Sequence, residues 1–350
     1  MDVDWRTTLV GFAAALVVLG LLVGLVGVGR VLDALSRAEP TVLAGVLAVA
    51  VVWMTSWGLS LRTVLGVLGS AVSAPVAVLV FTAATFANNV TPFGQAGGEP
   101  VTALFISRAA GTEYETGLAA IASVDSLNFV PSILLALVGI GYFSATVAFG
   151  RRLQYAAVAV AALAVVIPAA GYYAWRNRYR VEAGVVRLLT PVIRGLGRVL
   201  PRRSPPDVHV IEARIEGFFH GIERVTGDRR GLATALGFST LGWLCLAGSL
   251  WLSLYSLGYP VPFAATLVVV PVGAIAGITP LPGGLGGVEA VLVAMLVPTT
   301  GVTVAAATAA VVLHRTATYW LPVLVGGGTA AAIGAGGVLP TPDERTGNDD

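Results

Sequence analysis

Two similar strings rich in proline and glycine interrupt otherwise apolar sequence. Residues 91–100 read TPFGQAGGEP, and residues 279–289 read TPLPGGLGGVE. Proline and glycine stop a helix and a glutamate is costly in hydrocarbon, so each string predicts a break in a membrane helix. Matched breaks in the two halves of a chain are typical of transporters built from inverted repeats.

The apolar composition predicts an all-α polytopic membrane protein. Of 350 residues, 56% are hydrophobic and 11% are charged, and the mean hydropathy is +0.84, which excludes a soluble domain. The last span is expected to kink at Pro322 or to divide in two. Outside two broken regions, 75–107 and 262–298, the predicted spans are residues 8–29, 41–61, 117–142, 153–175, 231–258 and 302–337.

The chain is expected to consist of a membrane domain, residues 1–338, and a disordered acidic tail, residues 339–350. Within the membrane domain, a connector at 176–230 separates a first half, 1–175, from a second half, 231–338. The connector carries twelve arginines and six acidic residues. The positive-inside rule therefore places it in the cytoplasm and predicts a multi-pass protein of the plasma membrane.

Counting spans outward from the connector gives the orientation of the two broken regions. Both ends of 75–107 then lie on the cytoplasmic side, and both ends of 262–298 lie outside. Each region is expected to enter the membrane and return as a re-entrant hairpin. Two hairpins that enter from opposite faces form an inverted repeat with a substrate site near the bilayer midplane.

Two apolar stripes at helical spacing run through the connector. Two interpretations stay open: a connector lying at the lipid interface, and arginines that gather anionic lipid headgroups. The stripes are Val185, Leu188, Leu189, Val192, Leu196 and Val199, then Val208, Ile211, Ile215, Phe218, Ile222 and Val225.

Five ionisable residues fall inside the predicted hydrocarbon: Glu99, Asp125, Glu289, His314 and Arg315. Each costs about 2.5–3.5 kcal/mol at a helix centre, so each needs a partner or a wet cavity. Asp125 and Arg315 follow the two threonines that open the strings at nearly equal distances. They are therefore hypothesised to pair across the repeat interface, either to lock the two halves together or to bind a headgroup.

The two string glutamates have two readings. Glu99 and Glu289 either accept hydrogen bonds from their own Gly-rich turns and cap the next half-helix, or contact substrate directly. Free amide groups at a half-helix start suit a phosphate or carboxylate from a lipid. The predicted lipid-binding residues are Asn89, Thr91, Pro92, Gln95, Gly97, Gly98, Glu99, Asp125, Thr279, Pro280, Pro282, Gly283, Gly284, Gly286, Gly287, Glu289 and Arg315.

Other chemistry finds little support in the sequence. One cysteine, Cys245, and three scattered histidines exclude a disulfide framework and a metal site. There is no lysine and no hydrolase or nucleotide-binding motif, so no enzyme activity, no cofactor and no nucleic-acid partner are expected. His314 is read as neutral and structural, with a proton relay as the alternative, while Tyr319 and Trp320 are expected to pack.

The chain resembles the transmembrane-domain family of lysylphosphatidylglycerol synthase/flippase proteins. The resemblance rests on the string at 279–289, on Thr91-Pro92 with Gly97-Gly98-Glu99, and on Arg315 with residues 319–322, and it covers residues 8 to 335. It implies transbilayer handling of a lipid with a charged headgroup, such as aminoacylated phosphatidylglycerol or a polyprenyl-linked sugar.

This chain departs from the family pattern in two respects. Where family members usually carry an arginine after the first Gly-Gly-Glu and another after the next aspartate, this chain has residues 101–103, VTA, and Ser126. The fused relatives also carry a soluble aminoacyl-transfer domain that does not follow here, so the chain is not expected to make a modified lipid.

Taken together, the expected function is flippase- or scramblase-like movement of a lipid whose headgroup is charged, with membrane lipids as partners. A second hypothesis is a non-transporting anchor of a lipid-modifying or glycosyl-transferring enzyme, acting through residues 181–226. A third is a small-solute secondary transporter, which would need a closed aqueous site.

Overall fold

A computed structural model describes residues 28–36, 38–91, 94–146, 208–279 and 281–334, and a few single positions between 162 and 177. Two predicted spans, 8–29 and 153–175, lie almost wholly outside these residues, as do the first connector stripe and the acidic tail. The described chain is helical and contains no strand. The helices are α1 Val28–Leu35, α2 Pro40–Val67, α3 Ala74–Val90, α4 Gln95–Ala110, α5 Tyr114–Thr146, α6 Val208–Gly227, α7 Arg229–Ser256, α8 Phe263–Ile275, α9 Gly287–Thr300, α10 Val304–Arg315 and α11 Leu321–Gly334.

Four segments of the described chain are long and apolar enough to cross a membrane: Pro40–Val67, Tyr114–Phe143, Arg229–Ser256 and Pro282–Thr300. The first three confirm the predicted spans 41–61, 117–142 and 231–258. The fourth begins with a distorted glycine turn, and its regular part is α9. The protein is therefore an all-α, multi-pass membrane protein.

Both predicted breaks are present, and local sequence explains them. α3 ends at Val90 because Pro92 disfavours helical conformation in the residue before it, and Thr91 is extended there (φ −90°, ψ 144°). The second break is longer. It contains two 3-10 turns, Ala276–Ile278 and Pro282–Gly284, before α9 begins.

The element order of the first half recurs in the second: a long helix, a short apolar helix, a break, a second short helix and a further long segment. Equivalent turns recur with it. Gly111 and Gly301 end the second short helix of each half in the left-handed conformation, at φ 61° and 72°. These two glycines stand 190 residues apart, as do Glu99 and Glu289. The inverted orientation of the two halves stays a prediction.

Helices of the first half pack on helices of the second half. The long helices α2 and α7 pack on each other. The first short helix of each half packs on the last segment of the other half: α3 on α11, and α8 on α5. At the α2–α7 contact, the Trp57 indole donates to the Ser239 carbonyl over 3.1 Å.

The two pairs of short helices have their outer ends at opposite ends of α5. Ser70, before α3, and Thr112, after α4, share a hydroxyl hydrogen bond of 3.0 Å beside the start of α5. Phe143, at the far end of α5, packs with Ala265 of α8 and Met295 of α9. Two re-entrant hairpins entering from opposite faces would be arranged in this way. Re-entry itself stays a prediction.

The last predicted span is one continuous helical segment with a local distortion. α10 continues through a π-helical turn, Thr316–Trp320, into α11. Pro322 has no N–H to donate to the carbonyl four residues earlier, and the wider turn just before it accommodates that loss. The expected irregularity near Pro322 is therefore confirmed, without a division into two separate helices.

The end of the second connector stripe, at Ile222 and Val225, lies in a helix that packs against protein. α6 lies on α5, where Gly221 approaches the Ala119 methyl group, and Val225 is buried. The Arg224 guanidinium donates to the Leu68 carbonyl at the end of α2 over 3.3 Å. At least this part of the connector is thus built into the membrane domain.

Candidate functional site

Glu289 caps the helix that follows the second break. It occupies the third position of α9, and its Oε2 accepts a hydrogen bond from the backbone N–H of Gly286, which forms the N-cap. A carboxylate near a helix start is also favoured by the helix dipole. Glu289 is 3% exposed. The capping reading of this residue is therefore confirmed.

Arg315 ends α10 and binds the same glutamate. Its Nε donates to Glu289 Oε1 over 2.6 Å, and its Nη2 donates to the Gly283 carbonyl over 3.2 Å. The predicted direct pair with Asp125 is wrong, because Arg315 is held by the glutamate of its own half. Asp125 is held by the other glutamate, as described below.

Tyr319 joins the two breaks. It lies one helical turn after Arg315, whose guanidinium carbon is 4.7 Å from the ring centroid, and its hydroxyl donates to the Asn89 carbonyl over 3.0 Å. The ring is fully buried and packs directly on Gly283. Gly283 has φ 54° and no room for a β-carbon, so glycine is required there for both conformation and space. Tyr319 thus packs, as expected, and also bridges the halves.

The backbones of the two breaks meet directly. A β-carbon on Gly94 would lie 3.0 Å from the Gly277 carbonyl oxygen, and one on Gly283 would lie 3.1 Å from the Asn89 Cα. Residues with side chains would hold these segments apart. Glycine at positions 94 and 283 is therefore explained by the contact between the two breaks.

Three buried polar atoms at this junction have no hydrogen-bond partner among the described residues: Asn88 Oδ1, Asn89 Nδ2 and Thr279 Oγ1. Buried polar groups are normally hydrogen-bonded, so each of these atoms is an exception that a bound water or ligand would satisfy. Asn88 lies against Gly98 of the first break, and Thr279 lies against Gly287 of the second. The unsatisfied atoms therefore come from both halves.

Glu99 contacts Asp125 in the first half. Their carboxyl groups lie within hydrogen-bonding reach of each other, on α4 and α5. Asp125 follows Glu99 by 26 residues, the same separation as Arg315 from Glu289. The equivalence inferred from spacing thus holds for contacts within each half: one glutamate faces an aspartate, and the other faces an arginine.

The remaining predicted residues divide into three groups. The Thr91 hydroxyl donates to the Ala87 carbonyl over 2.8 Å, which makes it a local helix-end contact. Pro92 and Pro280 and the side chain of Gln95 lie outside what the structure describes. Glycines and a buried proline shape the two breaks; they are Gly97, Gly98, Pro282, Gly284, Gly286 and Gly287.

His314 and a second polar cluster lie apart from the junction. His314 is 4% exposed and shares a 3.0 Å hydrogen bond with the Ser249 hydroxyl, which supports its structural reading. Asn128 accepts from the Ser239 hydroxyl, and its carbonyl accepts from the Trp243 indole over 2.9 Å. Sequence reasoning missed this cluster, although an asparagine inside an apolar span was the available signal.

The comparisons agree with this architecture. The family described as "Lysylphosphatidylglycerol synthase TM region" matches residues 8–326. A UPF0104 membrane protein of Methanothermobacter thermautotrophicus is 26% identical over 328 residues, which cover 92% of each chain. Another from that organism is 24% identical over 314 residues, or 87% of this chain and 89% of the relative. One from Pyrococcus horikoshii is 24% identical over 248 residues, or 69% and 72%. The chain belongs to the family of lysylphosphatidylglycerol synthase transmembrane regions.

Proposed function

We propose that this protein moves a lipid with a charged headgroup from one leaflet to the other, as a flippase or scramblase. The candidate lipids are aminoacylated or anionic phospholipids and polyprenyl-phosphate-linked sugars. The observation that carries the proposal is the position of Arg315, a mostly buried cation at the junction of the two breaks. Family membership supports a lipid-related role in the membrane.

Arg315 has donors to spare for a headgroup. A guanidinium carries five N–H donors, and the hydrogen bonds of Arg315 to described residues use one from Nε and one from Nη2. Its planar fork matches the oxygens of a phosphate. In a poorly solvated site this attraction is stronger than in water. The unsatisfied Asn88, Asn89 and Thr279 atoms provide additional polar contacts for the rest of a headgroup.

Glu289 competes with an anionic headgroup for Arg315. In the structure the glutamate is engaged on both sides, by the guanidinium and by the Gly286 amide. When a phosphate takes its place on Arg315, Glu289 keeps the helix-capping bond and stays satisfied. The ion pair is therefore an exchangeable contact in the proposed cycle.

Headgroup binding would be transmitted to the other half through Tyr319. Its ring contacts the Arg315 guanidinium while its hydroxyl holds the Asn89 carbonyl, so movement of Arg315 changes a contact between the halves. Rocking of one repeat against the other around a central site is a common way to alternate access. In the proposed cycle the headgroup crosses at the junction and the acyl or prenyl tails stay in lipid.

The test is transbilayer movement of labelled lipids in proteoliposomes that contain the full chain. Phosphatidylglycerol, an aminoacylated phospholipid and a polyprenyl-phosphate sugar are compared with a zwitterionic phospholipid. We expect headgroup-selective movement that Arg315→Gln abolishes and Glu289→Gln reduces. Arg108→Gln is the matched control, since Arg108 is exposed at the end of α4 and should leave movement unchanged.

Two outcomes contradict the proposal. Unchanged movement by a folded Arg315→Gln variant would remove this arginine from the mechanism. No movement of any lipid by folded protein would favour the anchor hypothesis or the small-solute hypothesis. Deletion of residues 181–207, which leaves α6 and its contacts with α5 in place, separates these two, because only an anchor that acts through the connector depends on it.

A further inference from the structure

Glu99 and Asp125 form a contact between two acidic groups inside the membrane domain. Glu99 lies in the first turns of α4, and Asp125 lies near the middle of α5, with the two carboxyl groups within hydrogen-bonding reach. Neither group can donate a hydrogen bond when ionised, so a hydrogen bond between them requires a proton on one of them. Two carboxylates this close in a poorly solvated site do not both ionise.

The basic side chains that the structure describes are bonded to other groups or lie away from this pair of carboxyl groups. α3, α8 and α11, which pack against α4 or α5, carry no acidic or basic residue. On α2, the Arg62 guanidinium donates to the Val72 carbonyl. On α4 itself, Arg108 is nine residues beyond Glu99, about 13 Å along the helix.

The two remaining neighbours of α5 carry their charges at one end of the bundle. On α6 the Arg224 guanidinium is bonded at Leu68, and His220 lies 3.6 Å from the Glu216 carboxylate and 3.6 Å from that of Glu223. α7 has Arg229 and Arg230 in its first turn, with Cys245 and Tyr255 as its other titratable side chains. Arg315 is paired with Glu289, in the other half.

A second observation shows that this contact is incomplete. Asp125 Oδ2 is buried without a hydrogen-bond partner among the described residues, and so is the Thr102 hydroxyl. Thr102 is fully buried and follows Glu99 by three residues, so the two side chains lie on the same face of α4. Asn88 Oδ1, against Gly98 and also unpartnered, lies beside the same turn. The site thus holds buried polar atoms whose hydrogen bonding a proton or a water molecule would complete.

We propose that Glu99 and Asp125 bind one proton between them, as the counterpart of the Glu289–Arg315 ion pair in the other half. In the second half the charge of the glutamate is balanced by a permanent cation. In the first half it is balanced by a proton, which can leave. Departure of the proton leaves two carboxylates in contact, and their repulsion separates α4 from α5 at the first break.

The proton site would couple the transport proposed above to a proton gradient, and that part of the inference rests on the proposed function. Proton release opens the contact between α4 and α5 next to Asn88, which borders the junction where a headgroup would lie. A proton gradient would then bias the two states of the cycle. Proton binding itself does not depend on whether the cargo is a lipid.

The first experiment detects the proton directly by infrared difference spectroscopy on the full chain in lipid. A protonated carboxylic acid has a carbonyl stretch that is separate from the bands of carboxylates. We expect this band at neutral pH in the wild-type protein and its loss at high pH. It should be lost at every pH in the double variant Glu99→Gln with Asp125→Asn, because no carboxyl group is then left at the site.

Glu113→Gln is the matched control, since Glu113 is exposed in the turn before α5 and should leave the band unchanged. A band that persists in the double variant Glu99→Gln with Asp125→Asn would overturn the proposal. If a variant does not yield monodisperse protein, the wild-type spectrum decides alone. A spectrum without a protonated carboxyl group at neutral pH refutes the shared proton.

A transport assay separates this inference from the proposed function. We expect an imposed proton gradient to change the rate of lipid movement in wild-type proteoliposomes and to have no effect in Asp125→Asn. Lipid movement that ignores the gradient, together with a missing infrared band, overturns the inference and leaves the proposed function standing. A titrating band without movement of any lipid overturns the proposed function and leaves the proton site standing.

Discussion

The ion pair between Arg315 and Glu289 allows a quantitative test of the site. The side chains are 15% and 4% exposed, so removal of one partner leaves a charge that is largely excluded from water. Breaking a buried pair in this way costs about 3–5 kcal/mol. In Glu289→Gln the amide oxygen can still accept from the Gly286 amide, so the helix cap survives and we expect the lower end, about 3 kcal/mol.

Removing both partners should cost little more than removing one. The double variant Glu289→Gln with Arg315→Gln has no unpaired charge, so the coupling energy in the double-mutant cycle should be about 2–3 kcal/mol. A parallel cycle between Asp125 and Arg315 should give coupling within about 0.5 kcal/mol of zero, the usual limit for residues without contact. This second cycle is the matched control.

The assay is reversible unfolding in mixed micelles, followed by the fluorescence of the seven tryptophans. Each variant gives a free energy of unfolding, and the four variants of a cycle give the coupling energy. Coupling below about 0.5 kcal/mol between Glu289 and Arg315 would refute the reasoning. Larger coupling in the Asp125 cycle would restore the pairing that spacing suggested and the structure contradicts.

Two further predictions concern contacts between the halves. Tyr319→Phe removes the hydroxyl donor to the Asn89 carbonyl, so the free energy of unfolding should fall by about 1–3 kcal/mol, and no loss would show that this bond does not join the halves. Gly326→Ala places a methyl group against the Thr82 carbonyl at the α3–α11 contact and should lower the melting temperature and yield, whereas Gly328→Ala, with open space around it, should be neutral or stabilising. Equal melting temperatures for the two glycine variants would contradict the close approach.

The sequence predicted the long helices well because their signal is local. A run of apolar residues long enough to cross a bilayer needs no knowledge of its neighbours, and spans 41–61, 117–142 and 231–258 match the structure closely. The breaks were equally predictable, since proline and glycine act on the backbone at their own positions. Glu289 as a helix cap follows from the same local rules.

The partners of the charged residues were not predictable in the same way. Spacing indicated that Asp125 and Arg315 occupy nearly equivalent positions, and the inference that they meet followed from their opposite charges and an assumed pseudo-symmetry that turns both toward the core. Tertiary packing decided otherwise, because each lies closer to the glutamate of its own half. The bridge from Tyr319 to the Asn89 carbonyl spans 230 residues and involves a backbone atom, for which no sequence pattern exists.

By itself, then, the sequence determined that this chain is a helical membrane protein with two matched breaks and costly charges beside them. These properties depend on hydropathy, on backbone conformation and on the free energy of one charge in hydrocarbon, each of which belongs to single residues or short segments. Only the tertiary structure decided that the breaks touch, that one glutamate meets an arginine and that the other meets an aspartate. Those contacts join residues far apart in the chain, and they depend on how helices from both halves pack.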